Sequence, residues 1–418
     1  MHSFSSRLIR WQRTHGRHDL PWQCADAYHV WLSEIMLQQT QVATVIPYYQ
    51  RFVASFPTIT ALAAANEEQV LAHWSGLGYY ARGRNLHAAA RIIVEKYGGE
   101  FPRQYEQILE LPGIGCSTAA AICALAYHER RAILDGNVKR VLARYCGIEG
   151  WAGNKKVEER FWQHAEALLP PPCRGRAGEG VEMLPASTPI LVAPSLRSPP
   201  LHGGRDVSAA NEQAEMNHDI AAYIQAQMDL GATLCTRSKP KCVNCPVQSD
   251  CVAFQSGRVS ELPTPRPRKT VPERHATFLL LMNGNDILLE KRPGSGIWGG
   301  LWCPPQFDDE AAALTWCAQR GIKSVRPEVS KGNELDYARC GSIPHRERGK
   351  CSCETFPPFT HTFTHFKLHI TPLKIQLARK PLRAAQPGSV WLDVAEALGA
   401  AIPTPVRSLL QKLHRRMG

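Results

Sequence analysis

Four cysteines packed into one short stretch constrain this chain more than any other feature. Cys235, Cys242, Cys245 and Cys251 are spaced C-x6-C-x2-C-x5-C. Thiolates this close in sequence can surround a single inorganic centre, and a shell made only of sulfur suits an iron–sulfur cluster or zinc. Arg237, Lys239 and Lys241 lie between them, so the loop would carry positive charge toward a polyanion. The spacing alone leaves two other readings open: a structural zinc knuckle, or four buried thiols with no metal.

Composition narrows the classes further. Lys and Arg outnumber Asp and Glu by 49 to 37, which gives a net charge of +12. An excess of this size, unevenly placed, favours a nucleic-acid partner. At 418 residues the chain is too long for one ordinary core, so two domains are expected. Fourteen cysteines would mark a disulfide-stapled secreted protein only in a much shorter chain. From Met1 to Asp19 there is no apolar run; Arg7, Arg10, Arg13 and Arg17 interleave with Leu8, Ile9 and Trp11. That start fits a transit peptide or a docking helix. The turn signal Leu20-Pro21-Trp22 favours the helix. No segment is apolar enough over the length needed to cross a membrane. A reducing cytoplasm is the expected setting.

The texture is helical from about residue 3 to 168, with apolar positions recurring at helical period through Trp31, Ile35, Val42 and Ile46 and again through Thr118, Ala121, Ile122 and Leu125. Proline and glycine interrupt it from 171 to 213, which is expected to be a flexible insertion. Helix is expected to return from about Glu215 to Leu230 and to deliver the chain to Cys235. Residues 256 to 272 have the composition of a linker. Beyond them Ala276–Met282 and Asp286–Glu290 are strand-like runs around Asn283-Gly284-Asn285, a hairpin signal. Ala311–Arg320 and Val406–Arg415 suggest helices, and Phe363–Leu373 a strand. Residues 331 to 358, with Cys340, Cys351 and Cys353, are expected to be a loop insertion with free thiols, the other reading being a metal site that those cysteines form with His345. The second domain is therefore α+β.

Three places can carry chemistry. Leu111-Pro112-Gly113-Ile114-Gly115 joins two helices; two glycines would free the backbone, and the unpaired amides at the start of the next helix would cradle a phosphate. Glu34 shares an i, i+4, i+7 face with Gln38 and Gln41, among Trp31, Ile35 and Leu37. It is either a solvated surface glutamate or a partly desolvated acid with a raised pKa. Asp135, in Ile133-Leu134-Asp135-Gly136-Asn137-Val138, sits at a helix start. It is an N-cap by default and, at that end of a helix dipole, tends to stay ionised. One neutral acid and one carboxylate is the pairing that glycosidic cleavage needs.

These pieces occur in one order in one family. The segments LPW at 20–22, VWLSEIMLQQTQVATVIPYY at 30–49, GLGYYARGRNLH at 76–87, LPGIGCSTA at 111–119, ILDGNVKRVLAR at 133–144, MDLGA at 228–232 and the four cysteines resemble the helix-hairpin-helix DNA glycosylases of the endonuclease III superfamily. Within that superfamily they resemble the MutY-type adenine DNA glycosylase branch. The resemblance covers 1–169, 217–255 and, more loosely, the second domain. It implies an all-α helix-hairpin-helix glycosylase domain (1–255) with a [4Fe-4S] cluster on Cys235, Cys242, Cys245 and Cys251. It also implies an α+β Nudix-like lesion-recognition domain (273–418) carried by Leu289–Pro293 and Trp298–Trp302.

By that resemblance Glu34 is the catalytic acid and Asp135 stabilises the developing cation, with Asn137 supporting it. Trp22 lines the adenine pocket and Gln225 falls near the adenine. Gln39 and Tyr79 work at the lesion pair, where the base must be flipped from the duplex. Gly113 and Gly115 meet phosphate, and so does Lys139, which could also trap product weakly. Ser117 stands where bifunctional relatives carry a Schiff-base lysine, which implies a monofunctional enzyme. Phe363-Thr364-His365 matches a Phe-Ser-His loop that senses 8-oxoguanine, with Thr keeping the hydroxyl and adding a methyl. The metal-binding acidic helix of active Nudix hydrolases is missing at 308–321, so pyrophosphatase activity is not expected. The implied substrate is double-stranded DNA with adenine opposite 8-oxoguanine or guanine, and the implied form is a monomer. A bifunctional glycosylase-lyase and a non-catalytic damage sensor are the competing readings. Ser117 weighs against the first, and the presence of both Glu34 and Asp135 against the second.

Overall fold

The computed structural model describes residues 3–24, 26–171, 206–267, 270–294, 296–322, 352–378 and 388–417. The chain forms two compact units that do not follow sequence order: Met1–Ile35 with Phe101–Pro267, and Met36–Glu100 with Arg268–Gly418.

The first unit is helical. Phe4–His15 is capped by Ser3, whose hydroxyl accepts from the Ser6 amide at 3.3 Å. Its Phe4, Leu8 and Ile9 are buried, and the helix packs on Asp206–Thr233. The docking-helix reading of the start therefore holds. The core brings Leu8, Ala124, Val138, Leu142, Phe161, Tyr223 and Leu230 together from distant parts of the chain. Each large apolar side chain buried here is worth about 2 kcal/mol. Of the stretch 171–213 expected to be flexible, 172–205 lies outside the described residues and 206–213 is helix, the first turns of Asp206–Thr233.

In the second unit, helices Val42–Ser55, Ile59–Ala64, Glu67–Trp74 and Ala81–Tyr97 pack with a sheet of eight strands among the described residues. Asn66 and Gln69 cap Glu67–Trp74 reciprocally, at 2.8 and 3.1 Å. Gly83 lets Ala81–Tyr97 lie on Trp74, since a Cβ there would meet the indole at 3.1 Å. The central strand Glu273–Asn283 turns through Gly284 (φ 59°) into antiparallel Asp286–Lys291, as the hairpin signal implied. Its other neighbour is Lys367–Leu377, parallel and in register over eleven positions. Seven consecutive residues of the central strand, Ala276–Met282, are buried. That unbroken run is what a strand covered on both faces needs.

Two expectations shift. The strand expected from Phe363 begins at Lys367, because Phe363–Phe366 is a turn closed by the Phe363 amide on the Phe366 carbonyl at 2.9 Å. The loop expected over 331–358 ends earlier: Ser352–Thr355 pairs antiparallel with Lys367–Leu377, while 331–351 lies outside the described residues.

The sheet part is fastened to the helices of its own unit by polar bonds. Ser75 Oγ donates to the Ile402 carbonyl at 2.6 Å and accepts from Arg407 at 2.8 Å. Glu68 accepts from the Trp302 indole and pairs with Lys291. The composition change at 256–272 thus marks where strand begins, while the helices of 42–97 pack with the strands on its far side.

Candidate active site

Asp135 is built from both sides. Upstream, Ile133 and Leu134 are buried, and the Ser117 hydroxyl accepts from the Leu134 amide at 2.9 Å. Ser117 lies in helix Cys116–Tyr127, so the hairpin itself fixes the approach to the carboxylate. Downstream, Asp135 caps Gly136–Tyr145: Oδ1 accepts from the Val138 amide at 2.7 Å and Oδ2 from Asn137 Nδ2 at 3.2 Å. The N-cap reading of Asp135 therefore holds.

Asn137 is itself anchored. Its Oδ1 accepts from Arg140 at 2.8 Å, and Arg140 also donates to the carbonyls of Gly231 and Cys235, each at 2.7 Å. Gly231 is required there, because a Cβ would come within 2.6 Å of Asn137 Cβ. A continuous polar chain thus runs from the carboxylate to the backbone of the first clustered cysteine.

Glu34 lies on Ala27–Leu37, whose Val30, Trp31, Leu32, Ile35 and Met36 are buried. Burial, with the negative charge of Asp135 second, raises its pKa to about 7. Burial also raises Asp135, opposed by the Val138 amide, Asn137 and Arg140. The helix-start position by itself implied a simply ionised Asp135; its surroundings push it upward and its hydrogen-bond donors pull it back. The negative charge of Asp135 thus favours the protonated form of Glu34. The face expected to join Glu34, Gln38 and Gln41 does not form. The helix ends at Leu37, and Gln41 starts the next one as its N-cap.

Other expected residues divide. Gly113 takes a left-handed φ of 81°, but Gly115 has φ −102°, so only the first needs to be glycine for its backbone. Gly115 instead leaves open space at the start of Cys116–Tyr127. Trp22 is buried. Gln225 donates to Asp229 Oδ1 at 2.8 Å, and Asp229, fully buried, also holds Arg17, whose Nη2 and Nε donate to Oδ1 at 2.6 and 2.8 Å. Nothing in the sequence marked Asp229 for this role, though it stands within MDLGA. Lys139, expected at a phosphate, pairs with Glu158 at 2.6 Å.

Cys235, Cys242, Cys245 and Cys251 line one cavity with Val141, Arg144, Leu230 and Leu234. Arg144 clamps this loop by donating to the carbonyls of Leu262, Thr236 and Arg237, and its guanidinium lies 3.4 Å from Cys235 Sγ. Burial, followed by other influences that include the neighbouring sulfurs, pushes Cys245 up to about 11 and raises Cys242 and Cys251. Four thiolates gathered here need a cationic centre to hold them, and the donor set fits an iron–sulfur centre. Among the described residues, no three His, Cys, Asp or Glu side chains converge on a single-ion site.

In the second unit, Gln39 and Tyr79 both adopt left-handed backbone, φ 57° and 48°. Non-glycine residues hold that conformation only when their surroundings impose it. Here Arg82 imposes it. Its buried guanidinium donates to the carbonyls of Met36, Gln38 and Gly78 and to Thr40 Oγ1, and it sits 5.4 Å from the Tyr79 ring centroid. Burial lowers it to about 10, which still leaves it charged near neutrality. Tyr79 stays 46% exposed, large for an aromatic ring. The turn at Phe363 leaves Thr364 and His365 exposed. Nothing in the sequence singled out Arg82, beyond its place two residues after Tyr80.

Comparison with known proteins gives the same picture from outside. Residues 32–167 match the HhH-GPD superfamily of base excision DNA repair proteins, and 276–412 match the NUDIX domain. The chain is 32% identical to an adenine DNA glycosylase of Buchnera aphidicola subsp. Acyrthosiphon pisum, over 99% of this chain and 98% of that one. It is 31% identical to the Mus musculus adenine DNA glycosylase, over 98% of this chain and 77% of the mouse protein. A solved thermostable thymine-DNA glycosylase matches with 24% identity over 60% of this chain and 95% of its own, at a TM-score of 0.45.

Proposed function

The chain belongs to the adenine DNA glycosylase family and is a DNA glycosylase of base excision repair, and from that premise we propose that it hydrolyses adenine from pairs with 8-oxoguanine or guanine in duplex DNA, without cutting the strand. The observation that carries the mechanism is the Glu34–Asp135 pair, with Glu34 held near pKa 7 beside a capped carboxylate.

The adenine is flipped out of the stack, and Tyr79 and Gln39 meet the pair it leaves. Glu34 delivers its proton to a ring nitrogen, so the base departs neutral. Positive charge grows on the sugar and faces Asp135, whose orientation Asn137 and the Val138 amide hold. Water adds to the sugar, gives up a proton to the Glu34 carboxylate left by the first step, and leaves an abasic site. Trp22 lines the adenine pocket. Gln225 reaches the pocket's edge from the Arg17–Asp229 network. Ser117 is committed to the Leu134 amide, and with no lysine there the amine nucleophile of a lyase is missing. The amides after Gly113 and Gly115 take a strand phosphate.

Cys235, Cys242, Cys245 and Cys251 would hold a [4Fe-4S] cluster, whose role would be to keep the loop folded, and Arg237, Lys239 and Lys241 of that loop offer positive charge to the duplex. Functionally the chain divides into a glycosylase domain of 1–255, a linker of 256–272, and a Nudix-like lesion-recognition domain of 273–418. Thr364 and His365 of that last domain read the 8-oxoguanine. The protein works as a DNA-associated monomer in the cytoplasm. Among the described residues, no helix is long and apolar enough to cross a membrane.

The test is single-turnover base release from a duplex with one adenine:8-oxoguanine pair, with and without alkali, beside Glu34→Gln and a thymine-glycol duplex. The expected result is adenine release, strand breaks only after alkali, and loss of release in Glu34→Gln. Tight binding without release would make the protein a sensor. Alkali-independent cutting at thymine glycol would make it a bifunctional lyase.

A further inference from the structure

The two lesion-probing elements of the second unit meet at one helix start. Arg82, on the first turn of Ala81–Tyr97, staples the Gln39 and Tyr79 turns. Arg84, two residues on, points elsewhere: its Nη1 donates to the Gly299 carbonyl at 2.6 Å. Gly299 belongs to a tight turn, Trp298–Leu301, closed by the Leu301 amide on the Trp298 carbonyl at 3.0 Å. Trp298 has a left-handed φ of 55°, and a Cβ on Gly299 would meet the Gly294 carbonyl oxygen at 2.5 Å. The turn is therefore strained and tightly folded, and it needs its outside bonds.

Trp298 is buried and stands under the lesion-reading turn. Its ring lies 5.4 Å from Phe363 and 5.7 Å from His361. Phe363 stacks on Phe366 at 4.5 Å and 20°, which fixes the base of the turn that exposes Thr364 and His365. Gly300 completes the seat, with Glu67, Leu71 and Arg84 within 4.0 Å of where its Cβ would be. A chain of contacts thus links Arg84 to Thr364 through Gly299, Trp298 and Phe363, and none of these links touches Glu34 or Asp135.

Resting on the proposed reading of Phe363–His365 as the 8-oxoguanine sensor, we propose that Arg84 is a positioning residue that holds that sensor in register with Tyr79 and Gln39. It sets discrimination between 8-oxoguanine and guanine opposite adenine, and leaves the bond-breaking step alone. Its bond to Gly299 keeps Trp298 in place, and Trp298 keeps Phe363.

The experiment compares adenine release from 8-oxoguanine:adenine and guanine:adenine duplexes by the full-length protein, with kcat and KM separated. Arg84→Met is expected to lower the 8-oxoguanine preference in kcat/KM by about tenfold, the loss typical of one charge-assisted hydrogen bond. The guanine:adenine rate should be unchanged. Arg84→Lys, which can still donate to Gly299, should recover most of the preference. Trp298→Ala should cause a comparable loss, and the double variant should be no worse than the worse single one, as expected for two parts of one linkage. Equal losses on both duplexes, no loss on either, or additive effects in the double variant would overturn the positioning role. Wild-type protein that releases adenine equally from both duplexes would overturn the sensor reading itself, and with it this inference.

Discussion

The carboxylate pair and the turns proposed to probe the lesion are built on opposite principles. Both carboxyls are shaped by burial, Glu34 also by the charge of Asp135 and Asp135 by its hydrogen bonds to Val138 and Asn137, so the properties that matter there are electrostatic. Gln39, Tyr79 and Trp298 stand on left-handed backbone held by arginines, so there the properties that matter are mechanical. A site that moves protons needs its energies set. A site that inspects a base pair needs side chains projected and braced.

Substitutions should separate the two kinds of construction, and the largest effect should fall on the first. Glu34→Gln keeps shape and polarity and removes the proton, so single-turnover release should drop by about 10³-fold or more while duplex binding persists, in the range general acid catalysis supplies. Asp135→Asn can still accept from the Val138 amide and cap Gly136–Tyr145, though it loses the acceptor for Asn137 Nδ2, and the rate should fall by roughly 10²-fold through loss of charge stabilisation. That variant also sharpens the electrostatic side. In the proposed mechanism Glu34 acts protonated and Asp135 ionised, so the wild-type rate should fall about tenfold per unit above about pH 7 and fall again on the acid side as Asp135, whose pKa is raised by burial, takes up a proton. Because Asp135 helps to raise Glu34, Asp135→Asn should move the alkaline limb to lower pH in a rate–pH profile.

Arg82→Met tests the mechanical side. It strands three carbonyls, so the melting temperature should fall, with about 2–4 kcal/mol lost. Affinity for the lesion duplex should weaken, while the pH profile stays that of the wild type. An altered profile would mean that the turns and the acid are not separate. The smallest effect should come from Thr364→Ser, which removes one exposed methyl. Discrimination measured on the two duplexes should change by no more than about twofold, as for most surface changes.

Local chemistry was legible in the sequence, and long-range bracing was not. The hairpin around Gly113, the cap at Asp135, the cysteine loop and the Asn283–Asn285 turn each leave a signature within a few residues. Asp135's default reading as an N-cap was correct as structure, and it turned out compatible with a role in the site. Arg82, Arg84 and Asp229 left no signature, because their partners lie 44, 215 and 212 residues away in the Gln38, Gly299 and Arg17 bonds. The Glu34–Gln38–Gln41 face failed for the opposite reason. Periodicity carried the helix past Leu37, where the bonds to Arg82 impose a turn on the backbone.

The parallel pairing at the centre of the sheet sets an order on synthesis. Glu273–Asn283 has its full partner only once Leu377 has been made, and until then seven consecutive core positions, all apolar but Thr277, wait without one neighbour. A long unpaired hydrophobic strand is a template for other chains. The first unit, by contrast, has all its residues once Pro267 has been made. A nascent or truncated chain that stops between 284 and 366 should therefore carry a helical unit that is already folded, joined to a strand that drives it into aggregates.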